Sequence, residues 1–357
     1  MRILSIDTSC DETAAAITER RRVLSQSIFS QIVTHKQWGG VVPSLAKRVH
    51  EERIDGIIAQ TLRKYATYVG VEQAEVWNTI DAVAVTYGPG LAIALEVGIR
   101  KAKELAAAHG KPLVAVNHME GHIYSSFVQN RNGNPKREYT FPYLALLISG
   151  AHTEIVLFSD HLTYKVLGET RDDAAGEAID KAARMLGFGY PGGPVLERLS
   201  EQAGNSDIYK FPRPMVRSKD LNFSFSGLKT SFLYFTRAMT EKEKTDSIRG
   251  LASSFQAAIF DTLVRKTASA MDMTGVNNLV VGGGVAANLH LRNLLKHMVT
   301  KRGGTVIFPS YKYLTGDNAA MIGVVAYYKA QKGLFVQDFS QLDRVPRLSL
   351  SEHFSKT

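Results

Sequence analysis

Apolar and polar positions follow one another in the same order in both halves of the chain. In the first half, an apolar run at 2–7 predicts a strand, and the polar turn Asp7–Thr13 follows it. Two more strands are predicted at 14–18 and 23–28, with three arginines at the hairpin tip between them. Apolar residues spaced three and four apart then predict a helix over 44–66.

The first half closes with a second pattern. A buried-type strand at 80–86 ends at Gly88-Pro89-Gly90, and a helix is predicted over 91–109. A short strand at 112–116 leads directly into a further helix that begins at His118.

The second half repeats this order around a longer helical insertion. Its predicted elements are a strand at 144–148, the polar turn 149–153, a strand at 154–158, a strand at 279–281, the glycine turn 282–284, a helix at 287–300, a strand at 305–308 and a helix opening near Asp317. The chain is therefore expected to contain a duplicated α/β unit.

Composition narrows the class of protein. Of 357 residues, 45% are hydrophobic and 22% are charged, as in ordinary soluble globular proteins. No apolar run reaches the roughly 18 residues that a membrane span needs, so no membrane association is expected. The single cysteine, Cys10, excludes an intrachain disulfide and favours a reducing, cytoplasmic location.

The positive charge points to a polyanionic partner. Lysine and arginine outnumber aspartate and glutamate by 43 to 34, a net charge of +9. The cations are spread over several short clusters: Arg20–Arg22, Lys47-Arg48, Lys136-Arg137, and the series Lys210, Arg213, Arg217 and Lys219. Charge spread in this way is also typical of a solvated surface.

The segment His118-Met119-Glu120-Gly121-His122 is the strongest candidate for metal chemistry. Histidines four residues apart lie on the same face of a helix and can share one ion. In zinc peptidases the general-base glutamate directly follows the first histidine, whereas Met119 holds that place here and Glu120 comes one later. The pair therefore indicates a metal without indicating a peptidase; two solvated histidines are the alternative.

The duplication supplies a third ligand. His118 and Asp317 each begin the last helix of their half, and a pseudo-twofold axis would bring those helix starts together. Two imidazoles and one carboxylate suit a divalent ion with open positions, with Fe²⁺ favoured over Zn²⁺.

Two such α/β halves resemble the actin, sugar-kinase and chaperone-ATPase (ASKHA) superfamily, which implies a two-lobe fold with a nucleotide in a central cleft. Polar turns at the carboxyl ends of strands are where α/β sheets bind ligands. Glycine turns that open helices offer free N–H groups to phosphate. The expected lobes are 1–140 and 141–316, the latter carrying the helical insertion, with 317–357 as a closing helix and tail.

Ten motifs make the chain similar to a single family over nearly its whole length. The stretches are Ile6–Thr13, Gly39–Pro43, Gly88–Leu91, His118–His122, Asp172–Ala178, Asp180-Lys181, Tyr190–Pro194, Phe223–Thr230, Gly282–Asn288 and Asp317–Ile322. They resemble the tRNA N6-adenosine threonylcarbamoyltransferases of the TsaD type, formerly described as O-sialoglycoprotein endopeptidases.

That resemblance implies a reaction and a set of partners. A threonylcarbamoyl group would pass from threonylcarbamoyl-AMP to the exocyclic amine of the adenosine just 3′ of the anticodon, in tRNAs that read codons beginning with A. The partners implied are tRNA, threonylcarbamoyl-AMP, a paralogous subunit and a small ATPase.

The resemblance also assigns site residues. The metal ligands would be His118, His122 and Asp317, and Asp11 and Glu12 are the candidates for orienting the acceptor amine or relaying its proton. The residues expected to hold the adenylate are Leu147, Ile148, Ser149, Gly150, Ala151, Asp180, Gly193 and Asn288. Departures from the usual motifs stand at Ser44, Ile93, Ala151 and Thr315-Gly316; a positive φ at Ala151 would strain its turn.

Two other functions remain open from the residues alone. A sugar or acyl kinase of the same fold would need ATP and Mg²⁺, and a His-His-Asp site argues against it. A non-enzymatic, metal-dependent scaffold that binds nucleotide and a partner is disfavoured by the complete ligand set.

Overall fold

The protein contains two five-stranded sheets of matching topology. The structure is a computed structural model that describes residues 1–352. The strands are β1 Arg2–Asp7, β2 Glu12–Glu19, β3 Arg22–Ser30, β4 Ala82–Gly88, β5 Leu113–Asn117, β6 Tyr143–Ile148, β7 Thr153–Asp160, β8 Thr163–Glu169, β9 Asn278–Gly282 and β10 Thr305–Ile307. The sheet orders are β3-β2-β1-β4-β5 and β8-β7-β6-β9-β10, which confirms the duplication.

Each sheet joins an antiparallel meander to a parallel pair. In the first sheet β1 pairs antiparallel with β2 and parallel with β4, and in the second β6 pairs in the same way with β7 and β9. The polar turns after β1 and β6 therefore occupy equivalent places at the carboxyl ends of central strands, where α/β sheets bind ligands.

Helices cover both faces of each sheet. They are α1 Ile32–Lys36, α2 Pro43–Val69, α3 Ala92–Ala108, α4 His118–Tyr124, α5 Ala175–Met185, α6 Gly193–Gln202, α7 Ser226–Arg237, α8 Glu241–Thr274, α9 Leu289–Thr300 and α10 Ala319–Gln331. The outer face of the first sheet is covered by α2 and α3, and that of the second by the inserted helices α5–α8 together with α9. Among the described residues, no helix is both long and apolar enough to cross a membrane.

The layer between the sheets consists of two helices, α4 and α10, and each of them packs against the sheet of the other half of the chain. Helix α10, from the end of the chain, packs on β1 and β2 of the first sheet, while α4 contacts β6 and β9 of the second. Ser5 Oγ in β1 donates to the carbonyl of Ala319 at 2.6 Å. The lobe boundaries expected near residues 140 and 316 stay predictions, and the final part of the third segment, 353–357, lies outside the described residues.

Candidate metal centre and cleft

The two histidines are presented by a short, well-capped helix. Asn117, the last residue of β5, accepts from Met119 N at 2.8 Å, and Glu120 Oε2 accepts from Asn117 N at 3.3 Å. This reciprocal capping box fixes the start of α4 directly after the strand. Both His118 and His122 therefore project from the first turns of a helix, as their spacing predicts.

Asp317, which belongs to the second half of the chain, lies close to both histidines of the first half. Its Oδ1 lies 3.2 Å from His118 Nε2 and 3.3 Å from His122 Nε2. One ligand atom from each residue can be chosen so that all three lie within 4.8 Å of one another. Within residues 1–352 this is the one group of three or more histidine, cysteine or acidic side chains so arranged.

The surroundings of the three residues fit a bound cation. Asp7 Oδ2 lies 3.4 Å from His118 Nδ1, the side of the ring turned away from Asp317, and a carboxylate in that place orients a metal-binding imidazole. Asp7 Oδ2 and both ring nitrogens of His122 are buried and have no hydrogen-bond partner within the described chain. An ion bound beside Asp317 Oδ1 would give the buried His122 Nε2 the partner that burial otherwise denies it.

Two carboxylates give the group a negative electrostatic field, which favours positive charge at the histidines, either a proton or a metal cation. Burial would lower the pKa of His118, but the carboxylates of Asp317 and Asp7 outweigh it and raise that pKa well above its usual value. Burial would raise the pKa of Asp317, but the two imidazoles hold it well below the usual range. Burial lowers the pKa of His122 and so favours the neutral ring, the form that binds a metal.

The acidic turn after β1 lies in the electrostatic field of the same group. Asp11 is 5% exposed and its Oδ2 has no hydrogen-bond partner among the described residues. Burial and the charge of Asp317 raise its pKa. Glu12 accepts from Ser30 Oγ at 3.0 Å, and burial, Asp11 and Asp317 raise its pKa well above the usual value. Carboxyls with raised pKa values are suited to proton transfer near neutral pH.

A histidine that sequence analysis missed holds this turn in place. His50 of α2 donates from Nε2 to the carbonyl of Cys10 at 3.0 Å, and its Nδ1 accepts from Thr13 Oγ1 at 2.8 Å. The spacing to its partners is too long for any local motif to reveal. Burial and the neighbouring Asp11 raise the pKa of the Cys10 thiol, which argues against a thiolate nucleophile.

The equivalent turn after β6 is neutral and open. Ser149 Oγ accepts from the N–H groups of Ala151 at 3.3 Å and His152 at 3.0 Å. Gly150 and Ala151 are exposed, whereas the side chains of Leu147 and Ile148 are fully buried. Ala151 is not among the residues with positive φ, so the alanine fits this turn without the strain considered above.

Close backbone approaches bring the start of α5 and the glycine turn after β9 against the end of β6. A Cβ on Gly176, at the start of α5, would lie 2.5 Å from the carbonyl of Ser149, and one on Gly283 would lie 2.4 Å from that of Ile148. Gly283 also has φ of +92°, which side chains rarely adopt. Only glycine allows the α5 start and the segment leading to Asn288 to pack so closely on the end of β6.

Asp180 and Asn288 both have structural partners. Asp180 Oδ1 accepts from Gly192 N at 2.7 Å and so fixes the glycine turn that ends at Gly193. Asn288 caps α9 by accepting from Leu291 N at 3.0 Å, and donates to Gln256 Oε1 at 3.0 Å. Each retains further capacity: an Asp has two carboxylate oxygens, and an amide nitrogen has two hydrogens.

One hydrogen bond joins the two halves, and a tyrosine of the second half lies close enough to the acidic turn to be influenced by its charge. Arg184 of α5 donates to the carbonyl of Gly39 in the loop before α2. Burial and the charges of Asp11 and Asp180 raise the pKa of Tyr190, which places this ring near both the acidic turn and the glycine turn. Tyr190 belongs to the Tyr190–Pro194 motif, but neither spacing nor resemblance predicted a role for its side chain.

Comparison with known proteins identifies the chain's relatives. The TsaD family, tRNA N6-adenosine threonylcarbamoyltransferase, matches residues 22–324. The enzyme of that name from Kosmotoga olearia is 45% identical over 335 residues, 94% of this chain and 95% of the relative. The one from Clostridium botulinum is 44% identical over 351 residues, 98% of each protein.

Solved structures confirm the fold class. The activator of 2-hydroxyisocaproyl-CoA dehydratase from Clostridium difficile, with bound ADPNP, superposes with a TM-score of 0.51 over 93% of this chain and 97% of that chain. Full-length HypF in its phosphate- and nucleotide-bound form gives 0.57 over 93% and 55%. Both are 14% identical to this chain. The likeness confirms the predicted duplicated, two-lobe α/β fold.

Proposed function

The chain belongs to the TsaD family of tRNA N6-adenosine threonylcarbamoyltransferases, and we propose that it modifies tRNA by the reaction of that family. The group transferred is threonylcarbamoyl, the donor is threonylcarbamoyl-AMP, and the acceptor is the exocyclic amine of the adenosine 3′-adjacent to the anticodon in tRNAs that read codons beginning with A. No residue favours the kinase or scaffold alternatives over this one.

The observation that carries the mechanism is the Asp11 carboxylate, which is buried, has no hydrogen-bond partner for Oδ2 among the described residues, and has a pKa that burial and the charge of Asp317 raise. The acceptor nitrogen attacks the carbamoyl carbon, a C–N bond forms, the C–O bond to the phosphate breaks, and AMP leaves. The amine proton passes to a carboxylate, for which Asp11 and Glu12 are the candidates. Their raised pKa values mean that they hold a proton more readily than exposed carboxylates do.

A divalent ion held by His118, His122 and Asp317 would polarise an oxygen of the threonylcarbamoyl group as a Lewis acid. Fe²⁺ is favoured over Zn²⁺, because two imidazoles and one carboxylate leave open positions that suit non-haem iron. Asp7 would orient the imidazole of His118 through its Nδ1 atom, on the side of the ring away from the ion.

The neutral turn and its neighbours would bind the adenylate. Ser149, Gly150 and Ala151 form an exposed turn without carboxylates, which suits a phosphate. Asp180 would accept from ribose hydroxyls and Asn288 would donate to ribose or base. Leu147 and Ile148 would contribute through their backbone, because their side chains are buried. Gly193 has open space where a Cβ would stand, so a ligand can approach its backbone.

A basic groove of about 880 Å³ on the second half is suited to the tRNA backbone. Its walls include the cations Lys210, Arg213, Arg217 and Arg265. Asp261 pairs with Arg213 and with Arg265. Lys210 and Arg217 have no ion-pair partner among the described residues and can contact phosphates. A paralogous subunit and a small ATPase would complete the site, in the cytoplasm.

The test is direct modification of tRNA. The purified protein, the two helper subunits, threonylcarbamoyl-AMP and an unmodified transcript are combined, and nucleosides are identified by mass spectrometry. We expect the threonylcarbamoylated adenosine with the natural transcript and none with a transcript that carries guanosine at the acceptor position. Peptide cleavage or sugar phosphorylation, with no modified nucleoside, would contradict the proposal.

A second measurement tests the groove. Replacing Lys210 and Arg217 with glutamate should weaken tRNA binding and reduce the slope of log affinity against log salt by about two, one for each phosphate that is no longer neutralised. The same double charge reversal at Lys242 and Lys296, two surface lysines outside the groove, is the control. An unchanged salt slope would move the tRNA site elsewhere.

A further inference from the structure

The glutamate between the two histidines has a partner that the proposed chemistry does not use. Glu120 Oε2 lies 2.7 Å from Lys329 Nζ, and the two side chains are 1% and 5% exposed. The same ammonium donates to the carbonyl of Ala115 in β5 at 3.2 Å. A buried ion pair therefore joins α4, and the strand that leads into it, to the last turn of α10.

The Glu120–Lys329 ion pair contacts α4 on the face opposite to the metal ligands. Successive helical residues are rotated by about 100°, so residues two apart point in roughly opposite directions. His118 and His122 face Asp317, which precedes α10, while Glu120 faces Lys329 near the end of α10. The two helices that bring the ligands of both halves together are thus connected at both ends of α10.

Between these connections the helices are in direct contact. A Cβ on Gly121 would lie 2.9 Å from Met321 Cγ and 3.0 Å from Ile322 Cδ1. Glycine at this position lets α10 pack close to α4. A shift of α10 along or around its axis would separate the ion pair and move Asp317 relative to the histidines.

The buried Glu120–Lys329 pair is not expected to contribute much to the free energy of unfolding. Burying two charges costs free energy that their attraction only partly offsets, and apolar replacements of similar volume are often neutral or stabilising. Glu120 Oε1 has no hydrogen-bond partner within the described chain, so part of that cost is uncompensated. Buried polar pairs are better attested as devices that fix the register of packed helices.

We propose that Glu120 and Lys329 are a positioning pair, which sets the register of α10 against α4 and so holds Asp317 within reach of His118 and His122. Neither residue touches substrate. The proposal rests on the metal site described under the proposed function, and it explains why the glutamate lies two residues after the first histidine instead of one.

The test measures metal binding and not activity. The double variant Glu120→Gln with Lys329→Met removes both charges while keeping the side-chain volumes. Co²⁺ serves as the probe, because its visible absorption reports ligand geometry, and its affinity is measured by competition with a chelator. We expect affinity to fall at least about 10-fold, as for other residues that orient metal ligands, and the absorption bands to shift.

Lys266→Met is the matched control. Lys266 is a second buried lysine, 1% exposed, whose ammonium donates to Ser218 Oγ at 2.7 Å and to the Asp220 carbonyl at 2.6 Å. This variant should change thermal stability without changing the Co²⁺ affinity or spectrum. The single variant Glu120→Gln is measured alongside, and carries the test if the double variant does not fold.

Two outcomes would overturn the proposal, and they are distinguishable. Wild-type Co²⁺ affinity and spectrum in the folded variant would show that the pair has a purely structural role, with the metal site intact. Failure of the wild-type protein itself to bind Co²⁺ would overturn the metal site and this proposal together.

Discussion

The turns after β1 and β6 occupy matching places in the two sheets and have opposite chemistry. The turn after β1 carries two buried carboxylates, Asp7 beside His118 and Asp11, and ends at Glu12. The turn after β6 carries Ser149 and Ala151 and has no acidic residue. The two turns therefore occupy equivalent positions in the repeated unit, but the first concentrates negative charge and the second contains none.

The difference matches the ligands proposed for each half. A metal cation and an amine that must lose a proton need carboxylates close by, whereas an adenylate phosphate is repelled by them. The acidic turn is held by the side chain of His50, and the neutral turn is closed by Ser149 through its own neighbours. The shared fold thus fixes where each turn lies, and local residues decide which charge it attracts.

The largest expected effect comes from removing the charge that joins the halves. Asp317→Asn keeps the side-chain shape but weakens a metal ligand, so we expect more than about a 100-fold loss of metal affinity, beyond that of outer residues, and no detectable transfer. Metal content and adenylate binding should be measured on the same sample. Adenylate binding should remain, and a full complement of metal would refute the three-residue site.

Neutralising the acidic turn should have the next largest effect. We expect Asp11→Asn to lower the rate of transfer at least about 100-fold, the usual range for a lost general base, while metal is retained. Glu12→Gln separates the contribution of its neighbour. If both variants transfer at the wild-type rate, the proton acceptor lies outside this turn.

Introducing a carboxylate into the neutral turn after β6 tests whether the absence of negative charge there matters for adenylate binding. Ala151→Asp places a carboxylate near the proposed phosphate and should weaken adenylate binding about 10-fold by repulsion. Ala151→Gly changes the same position without adding charge and is the control, expected to bind as the wild type does. Equal affinity of the two variants for adenylate would place the phosphate elsewhere.

The smallest effect concerns the one carboxylate beside the neutral turn, in β7. Burial and Glu169 raise the pKa of Glu154 to about 7. At mildly acidic pH the Glu154 carboxyl is therefore protonated in the folded protein, although the same side chain is already ionised in the unfolded chain. The contribution of this proton to the free energy of unfolding is fully present below the unfolded-state pKa and is lost as pH rises through about 7.

Glu154→Gln should remove that dependence. In urea unfolding at pH 8, the variant should be more stable than the wild type by about 1–3 kcal/mol, and the two should converge near pH 4.5. Glu169→Gln should give an intermediate slope, because it removes the charge that helps raise the pKa. Parallel stability profiles for Glu154→Gln and wild type would contradict the assignment.

Sequence patterns predicted the elements that have one apolar face against a sheet. The helix expected over 44–66 is α2, Pro43–Val69, because its apolar residues recur at helical spacing on a single face. Strand β8 was missed, since Thr163–Glu169 has a single buried residue and mixes apolar with polar side chains, so it offers no apolar run. The long helix α8 was expected only as part of an insertion, because it is buried on several sides and shows no single stripe.

The candidate site was predictable as far as local spacing and duplication reach. His118 and His122 follow from their spacing, and Asp317 from its equivalent place in the second half. The ion pair of Glu120 with Lys329 could not be predicted, because its two residues are far apart in sequence and only the packing of α4 on α10 brings them together.

The packing of α4 and α10 on the sheets of the opposite halves also determines when this protein can fold during synthesis. Ser5 in the first strand bonds to Ala319, 314 residues later, so the inner face of the first sheet stays uncovered until almost the whole chain has left the ribosome. Contacts of such high sequence separation slow folding and expose apolar surface to aggregation. We therefore expect nascent chains to depend on chaperones, and truncation before α10 to yield an insoluble first half.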